Sequence, residues 1–534
     1  MRKQRLHNFA AFLTMGAYLA LMALYFNYVS SQTPTDDSMI LVRSAEIFHE
    51  TGKISFNRSS LVEANSSFLY VPIVALGFSL VPRLDIHWYL VAINLLFAYL
   101  TLVVFYRFCR RDMPPGWAVA ACALVTICPA TAFWTASGTE ATLVALLELY
   151  LIAAATFSHW NNRRTPLALA AASALLVLTR IDGFVVTLSV AVFLLCKRRW
   201  RDAAVTAKTT LILFAVMTAW RLHYYGQLLP NTVYAKVTGS LGDRLESAWH
   251  FWKLLFVPSG FWIVILPLAT LLVLECVAVI RRLRARSDDL LAPVTLVPWL
   301  MAAMIAYWFV HGGDIYRERH LILFFPLGIY AWVSMIQTLA ADHKPSLALL
   351  PVLLVALLMP LTTFPHYYDF RGTHLPAHHV LERDTRIADT LRNNHPNLRT
   401  GAVDKLGFIS FVLGPEYEIY DPMGLADSHI ARQAPKRSRD GGFLLGHAKF
   451  DIDYVIGKKP DFVYMLVYSY PTLQHPFIPG FDRHRLENAG YRLSYISSSQ
   501  TYECLDVRHK TNEELDRLFQ SNEYNVAVYL RTPQ

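Results

Sequence analysis

Long apolar blocks with short polar or basic breaks fill the chain from its start to about residue 363. About 20 apolar residues cross a bilayer. Blocks at 9–29, 85–108, 117–135, 138–157, 165–180, 183–196, 203–221, 258–280, 291–310, 321–340 and 346–363 therefore predict eleven transmembrane helices, with 165–180 and 183–196 short for full crossings. A further apolar stretch, 68–81, is shorter still. Counting it as a span would put Arg107, Arg110 and Arg111 outside, against the positive-inside rule, so it is expected as a half-inserted or in-plane helix. With that parse the basic ends Arg163-Arg164, 197–201, 281–286 and His343-Lys344 fall on the inside each time, and the N-terminus is inside. A cleaved signal peptide, the rival for 9–29, would have a shorter apolar core.

Beyond 363 the pattern changes to polar, His-rich and alternating. Residues 380–394 have helical spacing, whereas 401–411, 417–420, 461–468, 491–497 and 524–531 read as strands from their aromatic and β-branched content. The expected fold is a polytopic α-helical membrane domain, 1–363, followed by a soluble α/β domain, 364–534, on the outer side. Segments 30–84, 222–257 and 311–320 share that face with the tail.

Composition agrees. The 534 residues are 54% hydrophobic and 17% charged with mean hydropathy +0.32, against about 45–50% and about 25% in soluble domains. Soluble, fibrous and disordered classes are excluded. The net charge of +9 comes in runs abutting apolar blocks and is not a nucleic-acid footprint. The six cysteines, at 109, 122, 128, 196, 276 and 504, contain no Cys-x-x-Cys pair, which argues against a disulfide framework or a thiolate zinc site.

Charges at membrane depth or at the rim default to functional candidates. Asp36-Asp37 follows the first span. Such a pair serves a cation, a sugar hydroxyl or a shared proton, or one carboxylate acts as general base; the plain alternative is a solvated loop with an Asp N-cap before Ser38. Glu140 begins a span. Arg180 and Asp182 occupy a tight outer turn, and His311, Asp314, Arg317 and Arg319 another. The loop 221–236 adds Tyr224, Tyr225, Asn231, Tyr234 and Lys236: aromatic faces, an amide and a cation suited to a sugar and a phosphate. Glu148, inside a span, is either a packing residue or part of a portal. The tail histidines at 366, 374, 378 and 379 fit a solvated linker better than a metal site.

At these residues the chain resembles the GT-C class of polyprenyl-phosphate-sugar glycosyltransferases, and within it the terminal arabinofuranosyltransferase group of mycobacterial cell-wall synthesis. The matching set, in order, is Asp36-Asp37 with 40–57; Ser137-Gly138-Thr139-Glu140; Leu178-Thr179-Arg180-Ile181-Asp182-Gly183; Tyr224-Tyr225-Gly226 with 229–236; Gly312-Gly313-Asp314; and 421–432 in the tail. Thr139, Ile181-Asp182 and Asn65-Ser66-Ser67 depart from the family's pattern. The resemblance implies a polyprenyl-phosphate-linked sugar donor, membrane lipid around it, no nucleotide sugar and no nucleic acid. The enzyme would sit in a bacterial inner (plasma) membrane with its C-terminal domain periplasmic. It implies a catalytic aspartate at Asp36 or Asp37; phosphate contacts from Arg180, Lys236, Arg317 and Arg319; and sugar or acceptor contacts from Glu140, Asp182, Tyr224, Tyr225, Asn231, Tyr234, His311 and Asp314. The sugar by likeness is arabinofuranose, and the acceptor is a cell-envelope glycan or a secreted protein such as a pilin. No cofactor is certain, and a divalent cation at the Asp-Asp pair stays open. The rival class is a lipid-linked glycan transporter or flippase, for which no internal inverted repeat is visible.

Overall fold

The computed structural model describes residues 2–29, 34–156, 165–237, 239–256, 261–284, 296–314, 319–341, 377–436, 448–467, 472–476, 478–498, 502–520 and 524–532. They form two compact units, each discontinuous in sequence. The first takes Met1–Phe26, His87–Met217 and Ala248–Gly372; the second takes Asn27–Ile86, Thr218–Ser247 and Thr373–Gln534. Two stretches expected as outer loops thus pack with the tail. The expected boundary at 363 falls outside the described residues.

The first unit is helical because its blocks are apolar on nearly every side. Among the described residues four helices are long and apolar enough to cross a membrane: Phe9–Phe26, Arg83–Cys109, Trp200–Tyr225 and Trp262–Arg282. A fifth expected span, 117–135, is a broken one. Pro115–Ile127 and Pro129–Ala136 meet at a 56° bend, because Cys128 is extended and Pro129 has no N–H to continue the ladder. Ala141–Thr156, Thr165–Thr179, Gly183–Cys196, Leu296–His311 and Phe324–Gln337 are shorter apolar helices. Leu167, Leu211 and Val273 stay exposed, as expected of side chains that face lipid. The predicted span 346–363 lies outside the described residues, as do Arg163-Arg164 and His343-Lys344.

The second unit carries a six-stranded sheet. Its strands are β1 Thr400–Val403, β2 Glu418–Tyr420, β3 Phe462–Leu466, β4 Tyr491–Ser498, β5 Cys504–Asp506 and β6 Tyr524–Arg531, in spatial order β2-β1-β3-β6-β4-β5. β1 pairs in parallel with β2 and β3 (Gly401 opposite Ile419, Ala402 opposite Val463), and the other pairs are antiparallel. Val463, Met465, Ile496, Ala527 and Tyr529 anchor the core with Leu473, Ile478, Phe481 and Leu486. The expected helix is present as Ala377–Asn394. The expected strand 401–411 needs correction. It stops at Val403, a turn follows, and Phe408–Leu413 is helical. Strand propensity of an apolar run yields here to capping of the new helix by a side chain distant in sequence. β5 was not expected.

In this unit the predicted half-inserted segment is a helix of 8 residues, Tyr70–Gly77, roughly 12 Å long and too short to span. Thr35, not an aspartate, N-caps the helix Asp36–Thr51, accepting from the Ser38 N–H at 3.2 Å; Asp36 and Asp37 occupy its first turn. Arg43, fully buried, donates to the carbonyls of Phe56 (2.9 Å), Ser410 (2.5 Å), Gly414 (2.9 Å) and Tyr417 (2.6 Å). It closes the C-terminal end of Phe408–Leu413, where helix carbonyls lack partners. Asn57 accepts from the Ile419 N–H (3.1 Å) and donates to the Ile419 carbonyl (2.9 Å), standing in for a neighbouring strand at the edge of β2.

Candidate functional site

The predicted site residues separate into two charged clusters, one in each unit. In the second unit, adjacent aspartates have different surroundings. The Asp36 carboxylate accepts from the backbone N–H of Gly407 (3.0 Å) and of Phe408 (3.1 Å), the first donors of the helix Phe408–Leu413. A Cβ on Gly407 would run into the Asp36 carbonyl and carboxylate, so only glycine permits this approach. Burial pushes the Asp36 carboxyl above the usual aspartate range, against the pull of Lys405 and the two N–H groups. Burial likewise pulls the Lys405 ammonium down, and Arg383 adds to the effect.

Asp37 takes no part in that cap. Its carboxylate lies 3.6 Å from the Lys236 ammonium, and both side chains are about a quarter exposed (23% and 24%). Lys236 ends the short helix Asn231–Lys236. The surrounding residues are braces. The Asn231 amide donates to the carbonyls of Gly424 (2.8 Å) and Leu425 (2.9 Å), Tyr225 donates to the Ile54 carbonyl (2.7 Å), and Tyr224 stacks on Trp220 with centroids 4.9 Å apart. Lys449 donates to the Tyr234 carbonyl (2.8 Å) and Arg432 lies over the Tyr234 ring (5.1 Å). The loop that Asn231 grips is shaped by Asp421, which accepts from Met423 and Ala426 (2.8 Å each); burial raises its carboxyl to about 6 against those N–H groups.

The first unit holds the other cluster. The turn 137–140 is fixed by Asn94, which donates to the Thr139 carbonyl (3.0 Å) and accepts from Thr142 (2.9 Å). Glu140 meets Arg180 at 2.5 Å, and Arg180 also grips Asp182 with two bonds of 2.9 and 3.0 Å. His320 faces Asp182 with Nδ1 and Asp314 with Nε2, both at 2.8 Å. Arg319 meets Asp314 at 2.9 Å. Gly313, at φ +81°, makes the turn before Asp314, where a Cβ would press on Phe251 and Trp308. His311 contacts the Gly313 carbonyl through Nδ1 at 3.2 Å. Three carboxylates thus meet two guanidiniums and an imidazole, every side chain at most 13% exposed. Arg317 lies outside the described residues.

His320 was not singled out in the sequence, although it closes the run 314–320 that was. Arg43, Asn57 and the buried pair Arg221–Glu63 (2.8 Å) were missed too. Their partners lie far away in the chain, and no local spacing signals them. Among the described residues, no three His, Cys, Asp or Glu side chains are grouped to hold a metal ion.

No protein-family model matches the chain, and no curated protein matches it by sequence. Solved structures do match. ArnT from Cupriavidus metallidurans bound to undecaprenyl phosphate superposes with TM-score 0.57 at 14% identity, covering 98% of each chain. The Archaeoglobus fulgidus oligosaccharyltransferase in complex with Zn and sulfate gives 0.51 at 11% identity, covering 93% of this chain and 72% of that one. The archaeal oligosaccharyltransferase AglB from Archaeoglobus fulgidus, in complex with an inhibitory peptide and a dolichol-phosphate, gives 0.51 at 12% identity, covering 93% and 74%. Likeness at this identity shows the fold. The chain is a polytopic helical membrane protein that shares the fold of these structures, with a C-terminal sheet domain.

Proposed function

We propose that the protein is a GT-C glycosyltransferase that moves a sugar, arabinofuranose by sequence likeness, from a polyprenyl-phosphate donor to an acceptor hydroxyl. The transfer takes place on the periplasmic side of a bacterial inner membrane, and the acceptor is a cell-envelope glycan or a secreted protein such as a pilin. The observation that carries this reading is the asymmetry of the aspartate pair. Asp36 is buried and caps the helix at Gly407 and Phe408, whereas Asp37 stands partly exposed beside the Lys236 cation, and Asp37 is the carboxylate assigned here to chemistry. Two of the structural neighbours were solved with polyprenol-type phosphates, which supports the donor class.

In the proposed step Asp37 takes the proton of the acceptor hydroxyl as its oxygen attacks the anomeric carbon. The bond from that carbon to the phosphate oxygen breaks, the phosphate leaves with the electron pair, and configuration inverts. Lys236 stabilises the charge that develops on the phosphate, and holding both substrates in line supplies much of the rate. The test uses purified protein in nanodiscs, a synthetic polyprenyl-phosphoryl arabinofuranose, and a panel of arabinan and peptide acceptors. Glycosylated product from wild type and none from Asp37→Asn is expected. Lipid that crosses the bilayer without any transfer would replace the enzyme with a transporter.

A further inference from the structure

The turn that receives Asp36 also carries a cation. Lys405 lies between β1 and the helix Phe408–Leu413, in the same unit as Asp36, Asp37 and Lys236. Its ammonium stands 5.7 Å from the centre of the Phe408 ring, and the N–H of that same Phe408 donates to Asp36 at 3.1 Å. Lysine and aspartate thus converge on one residue. The other two acids around Lys405 have close partners of their own. Asp384 is held by Arg383 (2.8 and 2.9 Å) and Tyr464 (3.0 Å), and Asp404 by His475 (2.9 Å) and the Leu466 N–H (2.6 Å). For Asp36 the strongest pull toward the charged form is that of Lys405, ahead of the Phe408 and Gly407 N–H groups.

The charge on Asp36 decides how well it caps. Gly407 donates to one oxygen and Phe408 to the other. Both oxygens of a carboxylate accept freely, whereas protonation makes one of them a donor. A protonated Asp36 therefore weakens one of the two bonds that pin the first turn of Asp36–Thr51, and Asp37 is the next residue of that turn. We propose that Lys405 is a positioning residue for the transfer: it holds Asp36 as the capping anion and, through Asp36, fixes the turn that presents Asp37. This rests on Asp37 being the base proposed above. The other charged groups that face this pair are Asp37, Arg383, Asp384 and Asp404.

The test measures transfer in nanodiscs from about pH 5 to about pH 8. It compares wild type with Lys405→Arg, Lys405→Met, Lys405→Gln, Asp36→Asn and the double variant Asp36→Asn/Lys405→Met. Without the lysine, Asp36 takes up its proton at higher pH. Lys405→Met and Lys405→Gln are expected to move the acid limb of kcat up by about one pH unit, with donor KM unchanged and kcat recovered at the alkaline end. Lys405→Arg keeps the wild-type limb. In the Asp36→Asn background the loss of Lys405 moves nothing, because the residue it acts through no longer titrates. No shift, a shift that persists in that background, or a loss equal at every pH overturns the proposal. Thermal midpoints over the same pH range need no substrate. Lys405→Met lowers the midpoint most at the alkaline end, where Asp36 is ionised, and least at the acid end, and Asp36→Asn removes that trend. The trend without any transfer by wild type keeps the coupling of Lys405 to Asp36 and removes the enzyme. Transfer by wild type with neither trend nor shift removes the role of Lys405 alone.

Discussion

The two charged clusters draw on nearly the same residue types and use them differently. In the first unit, Glu140, Asp182 and Asp314 are each held at 2.5–2.9 Å by Arg180, Arg319 or His320, out of water. In the second, Asp37 and Lys236 stand 3.6 Å apart and partly exposed, next to an Asp36 that backbone N–H groups have already claimed. A network of close buried ion pairs fixes geometry, because moving any member strands another buried charge. A loose, partly solvated pair can exchange a proton or accept a ligand at little structural cost. The comparison teaches that a count of charged residues at a membrane rim says little about which of them react; the state of their partners says more.

The sharpest way to break the contrast lies within the aspartate pair. Asp37→Asn is expected to lower kcat by on the order of 10²–10⁴, the span of general-base contributions, with donor Kd unchanged. Asp36→Asn costs less than about tenfold, because the amide oxygen still accepts one of the two N–H groups. Equal losses would erase the distinction. Next in size, Arg180→Met strands Glu140 and Asp182 and is expected to destabilise by about 3–5 kcal/mol, read as a fall in the thermal midpoint. Lys236→Met, at an exposed pair, should cost within about 1 kcal/mol. Similar values for both would remove the case for one closed and one open cluster.

A smaller effect is set by pH. The Asp421 carboxyl is raised from its ordinary 3.8 to about 6, so the fold favours its protonated form. The stability that proton contributes is fully present below 3.8 and is lost as pH rises through about 6. It amounts to on the order of 2–3 kcal/mol. Denaturation between pH 4 and 8, compared with Asp421→Asn, should show that slope in wild type and lose it in the variant. A further stability effect is expected of Gly407→Ala. The added methyl meets Asp36 and is expected to cost about 1–3 kcal/mol. Most of the cost should persist in an Asp36→Ala background, because the Asp36 backbone carbonyl that the methyl meets first stays in place, and a double-mutant cycle on thermal stability measures it.

Much of this was legible beforehand, and the reason is physical. Ten of the eleven predicted blocks coincide with helices among the described residues, four of them long enough to cross a membrane and one a bent pair, because an apolar block satisfies its own backbone best as a helix. The helix Ala377–Asn394 and four of the five expected strands followed from periodicity. The strand drawn through 401–411 failed because the donors of Gly407 and Phe408 are satisfied by Asp36, a partner no local window contains. Nor could a local window show that Asn231 and Tyr225, expected as sugar contacts, also donate to backbone carbonyls. Residue types announce what chemistry a side chain is capable of. Only the packed chain tells which of that capacity the fold itself has used.

The buried Arg43 bears on the order of events during biosynthesis. Its carbonyl partner at Ser410 lies 367 residues downstream, which at about 5–20 residues per second is roughly 20–70 s of translation. Through that interval the guanidinium has only the local Phe56 carbonyl and Asn57 for company. The first loop therefore waits, still hydrated, for a segment not yet made, and the second unit closes only after most of the membrane helices have been threaded. A nascent chain arrested before residue 408 should accordingly leave this loop open to protease, and release past 420 should protect it.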